Sequence, residues 1–448
     1  MKKINFTTDK FIVIGLGDTG VSIIKYLRFK KANVIRVLDT RNDPPNQNIL
    51  NNIPLICGNL TINNLLGVDY IIISPGVSIY NQALQIAIMH GIEIFGDIEL
   101  FAREIIPWKS KVIGITGSNG KTTVTSLVGS LANALGVNTL VAGNIGVPVL
   151  DSYISINETK KYPELIVLEL SSFQLETVYS LSLDNATVLN ISEDHLDRYR
   201  DLLEYAYVKS NIFTNAKVQV LNYFDVLVMA MHKTQLPVIK FGDVSSGFYI
   251  DNDMLYLNHS ECIPCDSLKL VGTHNYYNAL AGVALLHGAG YDITHSKLKT
   301  ALMEFNGLSH RMQLVKTTSN GIKFIEDSKG TNVGATVAGV SGLNHMVHLI
   351  LGGDGKGQDF TGLIDLVKNK CKSVAVIGKD KQLILDALKD IHGVWIKSCE
   401  TLEQAIDFCY NNALDGEYVV LSPACASWDM FKNYIHRAEV FTTYVQKF

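Results

Sequence analysis

An apolar segment, Lys111-Val-Ile-Gly-Ile115, runs straight into the turn Gly117-Ser-Asn-Gly-Lys-Thr-Thr123, and a helical pattern follows from Val124 to Leu135. Few folds accept that order of residues other than a buried strand, a tight loop and a helix whose N-terminus faces the loop. Backbone N–H groups in such a loop converge on an anion, and the helix end adds partial positive charge. Lys121 then reaches the outer phosphates of a nucleoside triphosphate, and the Thr122 hydroxyl serves a bound Mg²⁺. The spacing departs from the Walker A pattern, which asks for glycine where Ile115 stands.

A second loop of the same kind lies near the start. Gly15-Leu-Gly-Asp-Thr-Gly20 follows the apolar run Phe11 to Gly15 and precedes a helical pattern from Thr19 to Lys30. Asp39 ends the next strand-like run, Asn33 to Asp39, at the distance expected of a dinucleotide fingerprint. Alone, that pattern implies a nicotinamide-dependent oxidoreductase. It reports only a diphosphate on a helix N-terminus and an acidic partner, however, and a UDP-linked substrate meets both demands. An oxidoreductase has no need of the loop at Gly117 to Thr123. Together the two loops favour an ATP-driven enzyme acting on a nucleotide-activated substrate.

Strand-like and helix-like runs alternate along all 448 residues, so the expectation is an α/β protein of three domains in series with mostly parallel sheets. Further strands are expected at Tyr70 to Ser74, Leu165 to Leu170, Ala186 to Asn190, Val218 to Leu221, Ile322 to Asp327, Val347 to Leu351, Ser373 to Ile377 and Tyr418 to Leu421. Gly307-Leu-Ser-His-Arg311 is a hinge candidate. The expected division is residues 1–99, 100–307 and 308–448. Polar clusters fall at strand ends, where open α/β sheets bind ligands: Ser74, Glu169, Asn190 to His195, Asp327 to Thr331, Gly352 to Lys356 and Ser422 to Ser427.

A hydrophobic content of 47% with 18% charged residues describes a well-cored globular chain. The net charge of −4, without a long basic run, argues against nucleic acid and anionic membrane as partners. No apolar run approaches a membrane span, and Phe11 to Leu16 is too short for a signal core. A cytoplasmic protein is expected. The seven scattered cysteines read as reduced thiols, and Cys262-Ile-Pro-Cys265 lacks the second pair that structural zinc needs.

The loop Gly117 to Thr123 resembles that of the bacterial Mur ligases, and the resemblance covers essentially the whole chain. It is carried in order by Ser74-Pro-Gly76, Gly96-Asp-Ile-Glu-Leu-Phe101, Gly143-Asn-Ile-Gly146, Leu168-Glu-Leu-Ser-Ser-Phe-Gln-Leu-Glu176 and Glu193-Asp-His-Leu-Asp-Arg198. His274-Asn-Tyr-Tyr-Asn278, His310-Arg311, Asp327-Ser-Lys-Gly-Thr-Asn332, Gly352-Gly-Asp-Gly-Lys356 and Leu421-Ser-Pro-Ala-Cys-Ala-Ser427 continue it. The Leu-Ser-Ser-Phe-Gln and Asp-Ser-Lys strings are similar to the branch that adds D-glutamate. A folate polyglutamate synthetase would share the ATP-binding part but explains neither Asp327-Ser-Lys329 nor the first glycine loop.

The resemblance implies a Rossmann-like UDP-binding domain, a central P-loop-type ATPase domain and a Rossmann-like amino-acid domain. It further implies an ADP-forming ligase that joins D-glutamate to UDP-N-acetylmuramoyl-L-alanine through an acyl phosphate, in peptidoglycan precursor synthesis, and a monomer. By residue, it implies Gly15, Gly17, Thr19, Gly20, Asp39, Thr40 and Ser74 for the UDP substrate. Gly117, Ser118, Asn119, Gly120, Lys121, Thr122, Thr123, Asn278, Arg311 and Asp327 are implied for ATP. Lys121, Asn144, His195 and Lys209 would work at the transferring phosphoryl group. Thr122, Glu169, His195 and Lys209 would hold two Mg²⁺ ions, Lys209 as a carbamate. Histidine is an odd ligand for an oxygen-seeking ion, and a lone helical lysine is ordinarily a surface residue.

Lys356 and Thr331 are expected on the α-carboxylate of D-glutamate, Ser427 on its γ-carboxylate and Lys329 nearby. Tyr434 stands where the family has phenylalanine. It is expected two helical turns beyond Ser427, walling the γ end. The plainer alternative makes Asp327 and Ser427 helix caps. Asp18 replaces an apolar residue of the family and is expected to point to solvent. Ser118 stands where threonine is common and keeps the hydroxyl.

Overall fold

The computed structural model describes residues 3–196, 198–259, 261–270 and 272–448. Lys2, Asp197 and the side chain of Cys262 lie outside the described residues. Three sheets form in chain order. The first has five parallel strands in the spatial order Leu55–Cys57, Asn33–Asp39, Lys10–Ile14, Tyr70–Ile73 and Glu93–Phe95. The chain reverses its direction of winding between Lys10–Ile14 and Tyr70–Ile73, so a crevice opens beyond their C-terminal ends. Gly15 and Ser74 stand there.

The central sheet has nine strands. Lys111–Thr116 sits between Leu165–Glu169 and Asn185–Val188, a second switch point, and the helix Lys121–Ala134 leaves from its end. Thr139–Gly143 closes one edge, and Gln219–Asn222, Val238–Gly242 and Gly247–Asp251 extend the other in parallel. Met254–Leu257 and Glu261–Pro264 then add two antiparallel strands, an edge the sequence pattern did not reveal. The third sheet runs Gln313–Thr317, Lys323–Glu326, Tyr418–Leu421, Val347–Gly352, Cys371–Ile377 and Trp395–Ser398, with its first pair antiparallel. The inner strands are continuous apolar runs because helices cover both faces.

The cores are shared unequally. One buried cluster runs from Phe11 to Val228 and so spans the first and central sheets. Tyr153 of the central unit meets Tyr26 edge-on with ring centres 5.6 Å apart and stacks on Trp108 at 5.5 Å. Glu99, fully buried, accepts from the backbone N–H groups of Tyr179 and Ser180, both at 2.8 Å, and from Ser180 Oγ at 2.7 Å. The two clusters of the third sheet are built only from residues from Met312 onward. Its contacts with the central unit include polar pairs such as Asn332 Nδ2 donating to Asn119 Oδ1 at 3.3 Å. Among the described residues no helix is long and apolar enough to cross a membrane.

Candidate active site

Two conformations allow the central loop its course. Gly117 has φ +153° and Gly120 φ +81°, and a Cβ on Gly120 would stand 2.5 Å from Asn278 Oδ1. The loop is pinned from below. Ser118 Oγ donates to Ser192 O and accepts from Ser192 N, both at 2.9 Å, while Asn119 N donates to Asn190 Oδ1 at 2.8 Å. Lys121 Nζ folds back onto the carbonyls of Gly117 (2.7 Å) and Ser118 (2.8 Å). Burial lowers its pKa, opposed by Glu169 and Asp194. A cavity of about 200 Å³ beside the loop is lined by Gly120, Thr123, Asn278, Arg311 and Asp327 among others. Burial raises the Asp327 carboxyl to about 7, although Ser422 Oγ donates to it at 2.6 Å. Arg311 crosses from the third unit and donates to Thr122 Oγ1 at 3.1 Å.

Glu169 ends its strand 2% exposed. Asn144 Nδ2 donates to its Oε1 at 3.1 Å, while Oε2 is buried without a hydrogen-bond partner among the described residues. A desolvated carboxylate oxygen left over in this way is suited to a hard cation. Among the described residues no three His, Cys, Asp or Glu side chains converge as a ready metal cage.

Lys209 is not on the surface. It is 1% exposed on the helix Leu202–Ser210, with Nζ 3.3 Å from Thr116 Oγ1 and 4.6 Å from the centre of the Tyr205 ring. Burial, joined by the charge on Lys121, drives its pKa well below the ordinary lysine value. The shift favours the neutral amine, the form that carbamate formation requires.

His195 takes a left-handed backbone, φ +56°, with Nε2 3.6 Å from Asp194 Oδ2. Lys356, also left-handed at φ +53°, reaches from the third unit to Asp194 Oδ1 at 3.2 Å. Burial opposes ionisation of Asp194, but His195, Lys356 and Lys121 together hold its carboxyl below the usual range. The Lys356 loop pairs with the loop of Ser427 through Asp354 N to Ala426 O at 2.9 Å and the reverse bond at 2.8 Å. Ser427 Oγ is buried and lacks a partner among the described residues. Lys329 Nζ sits 3.8 Å from the centre of the Tyr434 ring, and burial lowers its pKa to about 8. Thr331 is half-buried on the same loop.

One expectation fails in its reasoning. Residues 428–433 form turns, and the helix starts at Tyr434 itself, capped by Asn433, so Tyr434 is not two helical turns beyond Ser427. The capping alternative fails too: Asn332, not Asp327, caps the helix Val333–Ser341.

In the first unit Gly15 has φ +95°, and a Cβ on Gly20 would lie 1.9 Å from Gly15 O. Nothing lies within 4 Å of a Cβ placed on Gly17, which leaves that backbone open to a close ligand. Asp39 accepts from Leu16 N at 2.7 Å and pairs with Arg41 at 2.7 Å. Burial would raise its pKa, but Arg41 and Leu16 N–H hold it below the usual value. Ser74 Oγ donates to Gly15 O at 3.3 Å. Asp18 is exposed at the start of its helix, as expected, and Thr40 is exposed beside Arg41.

Sequence reasoning did not single out Arg41, Asp194, Thr116 or Tyr205. Two had a readable signal: Asp194 lies inside the quoted string Glu193 to Arg198, and Tyr205 stands four residues before Lys209 on one helix face.

Comparison with known proteins decides the family. Residues 9–96 match the model of the Mur ligase MurD-like N-terminal domain, 115–286 the Mur ligase middle domain and 310–425 the Mur ligase glutamate ligase domain. A UDP-N-acetylmuramoylalanine–D-glutamate ligase from Chromobacterium violaceum is 45% identical over 437 residues, covering 96% of this chain and 95% of that protein. The chain belongs to the Mur ligase family. An enzyme of the same name from Haemophilus influenzae is 44% identical to this Mur ligase, over 97% of each chain. Two solved structures share the fold. UDP-N-acetylmuramate–alanine ligase MurC from Thermotoga maritima has a TM-score of 0.59 at 18% identity, covering 98% of this chain and 99% of that one. MurF from Acinetobacter baumannii has 0.61 at 16%, covering 97% and 91%.

Proposed function

We propose that this Mur ligase joins D-glutamate to UDP-N-acetylmuramoyl-L-alanine at the expense of ATP, as a cytoplasmic monomer in peptidoglycan precursor synthesis. The observation that carries the reading is the convergence of Lys121, Glu169 and Lys209 with Arg311 and Lys356 from the third unit. The names of the two relatives supply the substrates. Residues 1–99 would hold the UDP moiety, 100–307 the ATP and 308–448 the amino acid.

A carboxylate is a poor electrophile, so the alanyl carboxylate oxygen first takes the γ-phosphoryl group, releasing ADP. The amine of D-glutamate then adds to the acyl carbon, loses a proton, and the tetrahedral intermediate expels phosphate. Lys121 offsets the charge on the transferring group, since phosphoryl transfer asks for in-line positioning and neutralisation more than for covalent help. Asn144 and His195 lie beside the group in transit. Asn278, Arg311 and Asp327 border the nucleotide cavity.

Thr122 and Glu169 would hold one Mg²⁺, and His195 with Lys209 a second; bound there, the ions neutralise phosphate charge. The buried orphan oxygen of Glu169 fits that role. Neutral Lys209 adds CO₂ with loss of one proton, turning a cation that would repel Mg²⁺ into an oxygen donor. On the amino-acid side, Lys356 and Thr331 take the α-carboxylate and Ser427 the γ-carboxylate. Lys329 adds charge, and Tyr434 closes the end.

The test is phosphate release from ATP with UDP-N-acetylmuramoyl-L-alanine and a panel of amino acids. D-glutamate alone should stimulate it strongly. Equal stimulation by L-alanine or a diamino acid would assign the chain to another branch.

A further inference from the structure

Arg198 follows His195 by three residues and is buried between the first and central units, its side chain 9% exposed and that of Glu176 1%. Its Nε donates to Glu176 Oε1 at 3.2 Å and Nη2 to Oε2, a bidentate pair. The guanidinium carbon lies 4.3 Å from the centre of the Phe173 ring, and the same ring meets His195 edge-on at 4.8 Å. Tyr199 OH also donates to Glu176, at 2.8 Å, so the carboxylate is well satisfied within the central unit.

A guanidinium has five N–H hydrogens, and that pair uses two of them. The other three face the first unit. Nη1 donates to Pro75 O and Gly76 O, and Nη2 to Val77 O, each at 3.4 Å. Those carbonyls form the turn directly after Ser74, whose Oγ is tied to the first glycine loop. Local pairing with Glu176 needs none of these three contacts. A lysine, with one nitrogen at the end of its stem, cannot serve a carboxylate and three separated carbonyls together.

We infer that Arg198 is a positioning residue: it fixes the Pro75–Val77 turn, and with it the UDP-linked substrate, relative to the phosphoryl-transfer centre at His195. The inference rests on the functional reading above. All five guanidinium N–H hydrogens of Arg198 are taken by protein acceptors, so it has none left for a ligand. It acts through the turn on one side and through Phe173 on the other.

The experiment compares Arg198→Lys and Arg198→Met with the wild-type protein in steady-state kinetics for each substrate, with calorimetry of UDP binding alongside. For Arg198→Lys, kcat/KM for UDP-N-acetylmuramoyl-L-alanine should fall roughly tenfold to a hundredfold, the range expected of a misplaced reactant. KM for ATP should stay within about twofold, because the ATP loop is pinned separately by Ser192 and Asn190. UDP alone should bind within about threefold of wild type, its contacts lying inside the first unit. Arg198→Met should show the same pattern with a larger loss; if it fails to fold, the lysine variant carries the test. Wild-type kinetics in Arg198→Lys would overturn the inference. So would a fall in kcat that follows the folded fraction with every KM unchanged, or a loss confined to ATP. A wild-type protein unable to bind UDP-N-acetylmuramoyl-L-alanine would instead sink the functional reading itself.

Discussion

The two glycine loops use one backbone device for unequal tasks. Each follows a buried strand and opens a helix, the first turning on Gly15 and the second on Gly117 and Gly120 at positive φ. Around Gly15 to Gly20 the investment is in hydrogen bonds: Asp39 holds Leu16 N–H, and Arg41 is already paired with Asp39. Around Gly117 to Thr123 it is in charge, with Lys121, Lys209 and Arg311 all partly or wholly desolvated. A diphosphate that only anchors a substrate is served by amides and an open backbone. A phosphoryl group that must move needs cations positioned in advance, at the cost of burying them.

The largest expected effect lies on the charged loop. Lys121→Ala should lower turnover by about 10³-fold or more with UDP-substrate binding intact, since such clamps supply several kcal/mol; near-normal turnover would erase the contrast. Lys209→Ala should lose on the order of 10²-fold, and a short carboxylic acid added to the assay should restore part of it by replacing the missing oxygen donor. If Lys209→Ala kept full activity, the buried amine would have no part in the chemistry. Lys356→Ala should raise KM for D-glutamate about tenfold, a charge-assisted contact being worth roughly 1.5–3 kcal/mol, with ATP affinity little changed.

The uncharged loop should respond more mildly. Gly17→Ala fits the fold, as its φ of −81° and the open space around it allow. The new methyl should nonetheless weaken UDP-substrate binding by roughly tenfold, by holding the diphosphate off the backbone. Calorimetry should show NAD failing to bind this loop in either form. The smallest effect concerns Asp39. Its pKa is lower folded than unfolded, so its stabilisation is present above the ordinary carboxylate pKa and lost as pH falls through the native value. Arg41 is half-exposed, which screens the pair, so Asp39→Asn should cost about 1 kcal/mol at pH 7. Thermal melts of the two proteins should converge only as pH falls below the ordinary carboxylate range.

How much was legible follows the same divide. Strands buried on both faces, such as Tyr70–Ile73 and Leu165–Glu169, read directly as apolar runs. The antiparallel edge from Met254 to Pro264 and the strand Gln313–Thr317 did not, because short edge strands carry mixed residues and no long run. Glycine spacing disclosed both loops, since backbone geometry there leaves few residue choices. Lys209 looked like a surface lysine because a helix pattern does not register a loop or strand end lying over one side chain. Arg311 on Thr122 and Lys356 on Asp194 join residues 189 and 162 positions apart, and only the fold brings them together. Tyr434 was misplaced because helical spacing was carried across Asp429 to Asn433, where the chain turns instead.

The uneven sharing of the cores has a mechanical consequence. The first two units are joined through one continuous apolar cluster and the buried Glu99, so separating them would expose oily surface to water. The third unit owns its core outright, and its contacts with the central unit include polar pairs such as Asn332 with Asn119, Arg311 with Thr122 and Lys356 with Asp194. Any swing that admits or releases ligands would therefore belong to the third unit, about residues 305–308, which have no regular secondary structure. A protease offered the native enzyme should cut first in that stretch, leaving the part of the chain before it as one resistant body. During synthesis the same asymmetry makes the amino-terminal two-thirds of the chain a single folding event, with the last third closing afterwards as an independent flap.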